Sequence, residues 1–151
     1  MNAGNDTSFC GRDGFLNATT NGAPLVGWCH GSAGISLALS SMPKLLLRNK
    51  ELKEYFNIAI SNTLSKGVFD SKCLCHGTAG NLLCVAGHAS INANINNLMK
   101  QFEVNLLESG FISTGAAQTM GIGLMTGLTG AGYYLLGRAD SRVDYGFLTL
   151  S

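Results

Sequence analysis

Apolar residues recur at helical spacing through much of the chain. The clearest stretch is 51–66, where apolar side chains follow the i, i+3, i+4 rule of an amphipathic helix. Those side chains are Leu52, Tyr55, Phe56, Ala59, Ile60 and Leu64. Gly67 is placed to end this helix. A second amphipathic helix is predicted over 92–108, with Gly110 at its end.

Shorter and more apolar helices alternate with these two. They are predicted over 32–48, 79–90 and 128–136. Pro43 interrupts the first of them, so we expect a kink or two short helices there. Residues 1–27 show little periodicity and are predicted to be an irregular lead-in, while 143–150 alternates weakly and is predicted to be extended. The pattern as a whole predicts an all-α fold.

Composition narrows the possible partners and compartment. The chain has 151 residues, a formal net charge of +1, 46% hydrophobic and only 13% charged residues. This near-neutral balance argues against nucleic acid or an anionic membrane surface as a partner. No apolar run is long enough for a transmembrane segment, and the polar N-terminus predicts no signal peptide, so we expect a cytoplasmic protein.

The abundant glycine is organised as a repeat. A Gly-x-x-Gly motif opens a predicted apolar helix at Gly31, Gly77 and Gly127, which are 46 and 50 residues apart. Such a period is typical of repeat architectures. Each unit is predicted to be an inner apolar helix followed by an outer amphipathic helix, and units must stack or close into a ring to bury their inner faces. Glycine at the motif lets a helix start approach another backbone closely.

Two of the three motifs are directly preceded by a Cys-His pair. Cys29 and His30 precede Gly31, and Cys75 and His76 precede Gly77. Equal phase predicts that the two pairs meet at one end of the molecule, with their sulfur atoms within about 5 Å. Thiolate and imidazole are the ligands that zinc prefers, and a catalytic zinc has three protein ligands and one open position. Both cysteines with one or both histidines supply enough ligands.

The simpler alternative is that the side chains of the two Cys-His pairs are core residues, since buried cysteine behaves as a small hydrophobe. Two copies at matching phase favour metal over that alternative.

The remaining candidates are weaker. Five cysteines in a reducing compartment do not predict a disulfide framework. Cys73 lies two residues from Cys75 and tends to face another way. Cys84 is predicted to be core, Cys10 incidental, and His88, near a helix C-terminus, to have a polar or dipole-compensating role. Trp28 either forms a wall of the metal pocket or simply packs.

At these motifs the chain resembles a known family. The segments are Gly-Trp-Cys-His-Gly at 27–31 with Gly34, Leu-Cys-His-Gly at 74–77 with Gly80, and the glycine-rich run 123–133. Together they resemble the lanthionine synthetase C-like family over roughly residues 15–151. The last stretch, 121–151, is most similar to the C-terminal end of class II lanthipeptide synthetases, in which a dehydratase precedes a cyclase.

The resemblance implies an α/α toroid of about seven helical hairpins. Residues 1–151 would be the C-terminal part of that cyclase domain, a partial toroid of about three repeats that start near 28, 74 and 124. It also implies one zinc ion (Zn²⁺), held by Cys29, Cys75 and His76. His30, as an acid/base or orienting group, and Trp28, as a pocket residue, match positions beside the metal.

The implied function is lanthionine synthetase activity in bacterial lantibiotic biosynthesis. Zinc would activate a cysteine thiol of a dehydrated precursor peptide. That thiol would add, in a Michael-type reaction, to a dehydroalanine or dehydrobutyrine of the same peptide and form a thioether ring. Partners would be this peptide and the missing upstream repeats and dehydratase, in cis or as a separate chain.

The chain departs from the family pattern in three respects. The upstream repeats with the family's acid/base His and its Asp are not in it, the dehydratase is absent, and Leu25 stands where some members have Arg. We therefore expect a fragment, a split-gene product or a degenerate remnant, with weak or no cyclase activity alone. The alternatives are a non-catalytic zinc-stabilised helical module that binds a peptide or partner, and an enzyme that adds a small thiol such as glutathione to a dehydrated residue.

Overall fold

A computed structural model of the chain describes residues 19–20, 23–43, 45–67, 71–88, 93–109 and 121–149. The regular secondary structure of these residues is helical, as the sequence pattern predicts, apart from one antiparallel pair of two-residue strands, Thr19–Thr20 and Ala23–Pro24. The helices are α1 (Ser32–Ser40), α2 (Lys50–Lys66), α3 (Thr78–Ala86), α4 (Ala93–Ser109), α5 (Leu128–Ala139) and α6 (Gly146–Thr149). A 3₁₀ turn at Leu46–Arg48 precedes α2. No helix in this part of the chain is both long and apolar enough to cross a membrane.

The amphipathic helix α2 follows its prediction closely. It starts one residue before the predicted stretch 51–66 and ends at Lys66, where the Gly67 N–H donates to the Thr63 carbonyl oxygen at 2.7 Å. Its first turn is closed by Asn49, whose Oδ1 accepts from the N–H groups of Glu51 at 2.9 Å and Leu52 at 3.3 Å. These bonds satisfy two of the backbone donors that a helix start otherwise leaves unpaired.

We expect Asn49→Ala to lower the free energy of unfolding by about 1 kcal/mol, because the cap donors lose their acceptor. Urea denaturation followed by circular dichroism measures this difference. Asn57→Ala, an exposed position inside the same helix, is the matched control and should leave stability unchanged or slightly higher, since alanine has the better helix propensity. Equal stability of the two variants would contradict the capping role.

The first predicted helix, 32–48, is divided as Pro43 requires. It becomes α1 and the 3₁₀ turn, with Pro43 between them. The predicted helix 79–90 ends earlier, at Ala86 with Gly87 as its cap, and 128–136 extends to Ala139. Gly110, residues 1–18 and residues 89–92 lie outside the described residues.

Helix α3 lies at the centre of the packing. It contacts α1 and α5 on either side, and the longer helices α2 and α4 as well. Every side chain from Thr78 to Val85 is buried. The main core cluster joins α3 to Ile95, Met99, Phe102 and Leu106 of α4, to Ala131 and Tyr134 of α5, and to Leu148. At the surface an ion pair between Arg138 and Glu103, at 2.6 Å, also links α5 to α4.

The three Gly-x-x-Gly segments fold alike, and we call them the first turn (25–34), the second turn (71–80) and the third turn (121–130). In each one the first N–H of the helix donates to the carbonyl oxygen seven residues earlier, at 2.9 to 3.2 Å. The pairs are Ser32 with Leu25, Thr78 with Ser71, and Leu128 with Gly121.

The glycines make the close approaches that the sequence predicts. A Cβ at the second glycine of each motif would lie 2.1, 1.7 or 2.0 Å from a carbonyl oxygen of its own turn, for Gly34, Gly80 and Gly130 respectively. No side chain fits at such distances. The repeat in the sequence is therefore a repeat in backbone geometry.

The prediction of an extended tail over 143–150 is wrong. Residues 146–149 form the single helical turn α6, in which the Leu148 N–H donates to the Tyr145 carbonyl oxygen at 2.7 Å. The Asp144 carboxylate accepts the Gly146 N–H at 2.7 Å and so closes the start of the turn. Burial decides the conformation, because the turn places Leu148 at 1% exposure in the core while Phe147 stays exposed.

Candidate metal centre

Backbone hydrogen bonds hold the three turns side by side. The Cys29 N–H donates to the Cys75 carbonyl oxygen at 3.3 Å, and the Cys75 N–H donates to the Met125 carbonyl oxygen at 2.8 Å. These three residues have the same phase in their motifs. The bonds therefore bring the starts of α1, α3 and α5 to one end of the molecule, as equal phase predicts for the first two.

Cys29, Cys75 and His76 converge at this end. One ligand atom from each lies within 4.8 Å of the others, and the two sulfur atoms are 3.0 Å apart. Cys29 and His76 are exposed and Cys75 is half-buried. The cluster is thus open to solvent on one side and backed by the protein on the other, as a site for a bound substrate would be.

The Cys75 thiol is in its protonated form without a metal. Burial raises the pKa of Cys75 to about 11, and the hydrogen bond with Cys29 acts in the same direction. The Cys75 thiol accordingly donates to the Cys29 sulfur. A divalent cation reverses this preference, because a coordinating thiol is deprotonated.

The donor set fits zinc. Two thiols and one imidazole are ligands that zinc takes in three-ligand sites. With Zn–S bonds near 2.3 Å, tetrahedral geometry separates two sulfurs by about 3.8 Å. The sulfurs of Cys29 and Cys75, now 3.0 Å apart, would have to move further apart by less than about 1 Å to meet this geometry. His30 is not a member of the group of three, which leaves a fourth position for another ligand.

His30 and Trp28 lie on either side of Cys29 in the chain and have different surroundings. The His30 Nδ1 is 2.7 Å from the Cys29 sulfur, and its ring centroid is 6.5 Å from that of His76. Gly27 lies close to both histidines, since a Cβ there would be 3.1 Å from the His76 Cβ and 3.4 Å from the His30 Cε1. Trp28 is half-buried, packs against the core, and donates its indole N–H to the Leu148 carbonyl oxygen at 3.2 Å.

Among the described residues, the weaker cysteine candidates are not members of the cluster. Cys84 is buried against Ala33 and Leu37, as predicted for a core residue. Cys73 is buried as well, and its sulfur accepts from the Ser71 hydroxyl at 3.3 Å. Cys10 lies outside the described residues.

His88, which follows the end of α3, packs against Phe56 of α2. Its ring stands edge-on to Phe56 with the centroids 4.8 Å apart, and burial lowers its pKa, which favours the neutral form. It lines a groove of about 500 Å³ between α2 and the start of α4. This groove does not include the Cys and His cluster.

Two residues beside the site were not predicted from the sequence. Met125 supplies the carbonyl oxygen that holds Cys75, and Leu148 supplies the one that holds Trp28. Met125 shares the phase of Cys29 and Cys75, so the motif alignment contained a signal for it. Leu148 follows Trp28 by 120 residues, and nothing local in the sequence points to it.

Comparison with known proteins points to one family. Residues 5–148 match the family model described as lanthionine synthetase C-like protein. Among curated proteins, the lacticin 481/lactococcin biosynthesis protein LcnDR2 of Lactococcus lactis subsp. lactis is 30% identical over 142 residues. That match covers 80% of this chain and 15% of the relative, so the chain spans only a small part of it. No solved structure matches the chain.

Proposed function

Because the chain belongs to the lanthionine synthetase C-like family, we propose that it is the zinc-binding part of a lanthipeptide cyclase. The observation that carries this proposal is the convergence of Cys29, Cys75 and His76, two thiols and one imidazole within 4.8 Å, from two motifs 46 residues apart. The relative from Lactococcus lactis is a lacticin 481/lactococcin biosynthesis protein, which supports the same substrate class, a dehydrated precursor peptide.

In this proposal Cys29, Cys75 and His76 hold one zinc ion. A zinc ion bound there would supply the Lewis-acid chemistry that keeps a substrate thiol as its thiolate at neutral pH. The protein leaves the solvent side of the cluster open, so a cysteine of the peptide can reach the fourth position.

The proposed reaction forms a carbon–sulfur bond and leaves the mass of the peptide unchanged. The thiolate sulfur adds to the β-carbon of a dehydroalanine or dehydrobutyrine, and the electron pair of the C=C bond moves to an enolate. A proton at the α-carbon completes the thioether ring. His30 is the proposed acid/base or orienting group, because its imidazole is the one beside the cluster that is not in the group of three.

We expect His30→Ala to lose at most about 10- to 100-fold in zinc affinity, because His30 contacts the Cys29 sulfur at 2.7 Å but is not one of the three convergent ligands. Competition with a chromogenic chelator measures the affinity. His76→Ala is the matched variant and should lose tight binding. A loss of zinc affinity in His30→Ala as large as that in His76→Ala would mean that His30 closes the coordination sphere. That result would favour the non-catalytic, zinc-stabilised module over the enzyme.

The proposed assembly also needs the remaining repeats, in cis or as a separate chain. In the first unit Ser32 is buried and its hydroxyl lies 3.0 Å from that of Thr63 on α2. The residue at the same phase of α5 is Leu128, which is 41% exposed, and Leu136 on the same side is 54% exposed. We infer that an outer helix of the upstream repeats covers this apolar face and that the partial toroid closes there.

A cyclisation assay tests the enzyme proposal. A dehydrated peptide with one free cysteine is incubated with the zinc-loaded chain, alone and together with a chain that carries the upstream repeats. Alkylation with N-ethylmaleimide followed by mass spectrometry counts the remaining thiols, since cyclisation itself changes no mass.

We expect the thiol to disappear in the complemented reaction, and slowly or not at all with this chain alone. The undehydrated peptide is the control and should keep its thiol. Zinc binding without any thiol loss in the complemented reaction would refute the enzyme and leave the zinc-stabilised binding module. In a parallel reaction with added glutathione, loss of the glutathione thiol in place of that of the peptide would instead indicate the small-thiol transferase.

A further inference from the structure

The third turn and α6 contribute no ligand to the Cys and His cluster, yet they contact it at two separate points. One contact is the Met125 carbonyl oxygen, which accepts the Cys75 N–H at 2.8 Å. The other is the Leu148 carbonyl oxygen, which accepts the Trp28 indole N–H at 3.2 Å. The first contact is made to Cys75 itself, and the second is made to Trp28, the chain neighbour of Cys29. Residues 121–148 therefore contact both of the turns that carry the two cysteines.

The first contact is rigid because glycine packing fixes the third turn. A Cβ at Gly127 would lie 1.9 Å from the Gly121 carbonyl oxygen and 2.6 Å from the Gly123 nitrogen. The Leu128 N–H also donates to the Gly121 carbonyl oxygen at 2.9 Å. The Met125 carbonyl is therefore held by contacts within its own turn, and it can set the direction of the Cys75 backbone.

The second contact ties the first turn to the core. Leu148 is 1% exposed and belongs to the main core cluster, with which Trp28 also packs. The indole N–H is a donor whose burial is favourable only with an acceptor. Its bond to Leu148 fixes the ring of Trp28 and, through the peptide bond that follows, the backbone of Cys29.

We propose that residues 121–148 position both cysteines of the metal centre, with the carbonyl groups of Met125 and Leu148 as the positioning groups. The inference rests on the proposed function in one respect, namely that Cys29, Cys75 and His76 bind a metal. Groups that orient metal ligands without touching the metal typically change metal affinity about 10- to 100-fold when they are removed. The third unit thus serves the site without carrying a Cys-His pair of its own.

The test is a titration of the metal-free chain with Co²⁺, which reports ligand geometry through its visible absorption and its thiolate charge-transfer band. Gly127→Ala displaces the third turn, and Gly132→Ala is the matched control on α5, where a Cβ meets nothing within 4 Å. Trp28→Phe removes the indole N–H together with the five-membered ring and keeps a six-membered aromatic ring. Far-UV circular dichroism checks the helix content of each variant.

We expect Gly127→Ala and Trp28→Phe to bind Co²⁺ about 10- to 100-fold more weakly, with altered visible bands, while Gly132→Ala matches the wild type. Wild-type affinity and bands in both variants would overturn the inference. If Gly127→Ala loses its helix content, Trp28→Phe decides alone, and an unchanged titration overturns the inference. Failure of the wild-type chain to bind Co²⁺ would instead refute the metal site itself.

Discussion

Cys75→Ala is expected to lose stoichiometric zinc, whereas the wild-type chain binds about one ion per molecule, as a three-ligand site predicts. Cys75 is the proposed ligand with the most support from the protein, since its N–H bonds to Met125, its carbonyl bonds to Cys29, and its sulfur lies 3.0 Å from the Cys29 sulfur. Its removal leaves one thiol and one imidazole. The loss of affinity should exceed the roughly 10- to 100-fold effect of a supporting residue.

Metal analysis after gel filtration and a chelator competition measure this effect. Cys84→Ala is the matched control, because it also removes one thiol but from a side chain that is 4% exposed and packed against Ala33 and Leu37. It should lose stability through the cavity it creates and keep its zinc. Full zinc occupancy in Cys75→Ala, or equal loss in both variants, would contradict the assignment of the cluster as a metal centre.

Gly80→Ala is expected to lower the free energy of unfolding by about 3 kcal/mol or more. Gly80 lies inside α3, where alanine would ordinarily gain up to about 1 kcal/mol over glycine from helix propensity. Here the added Cβ would stand 1.7 Å from the Leu74 carbonyl oxygen and 2.7 Å from the Leu74 carbonyl carbon. The second turn must open to accommodate this Cβ, and the opening also displaces the chain neighbours of Cys75.

Urea denaturation measures this change, and Gly87→Ala provides the comparison at the end of the same helix. Gly87 has helical φ and ψ of −59° and −13°, and a Cβ there meets nothing within 4 Å. That variant should be neutral or more stable by about 0.4 to 1 kcal/mol. The two substitutions are chemically identical and opposite in predicted sign, so a Gly80→Ala protein as stable as Gly87→Ala would refute the close packing of the turn.

Together the two predictions separate the chemistry of the centre from the scaffold that presents it. Cys75→Ala removes a ligand and should leave α3 packed, because the Cys75 backbone groups remain. Gly80→Ala keeps every ligand and disturbs the turn that carries two of them. A metal centre that depends on its turns should weaken in the second variant as well.

Much of this arrangement is determined by the sequence alone. Helical spacing gives α2 and α4, Pro43 divides the first predicted helix, and the phase of three Gly-x-x-Gly motifs predicts three equivalent helix starts. The same phase predicts that Cys29 and Cys75 meet, because equivalent positions of stacked repeats lie side by side. These features depend on residues close together in the chain or on a period, and both are visible without coordinates.

Only the tertiary structure decided which groups hold the site and how the tail folds. The weak alternation of apolar residues over 143–150 gives no period that specifies a helical turn. The turn forms because it buries Leu148 in the core. The bond from Trp28 to Leu148 spans 120 residues and uses a backbone carbonyl, which every residue has and no sequence pattern marks. Side-chain chemistry and motif position thus identify the proposed ligands in the sequence, whereas the backbone groups that contact their turns are brought together only by packing.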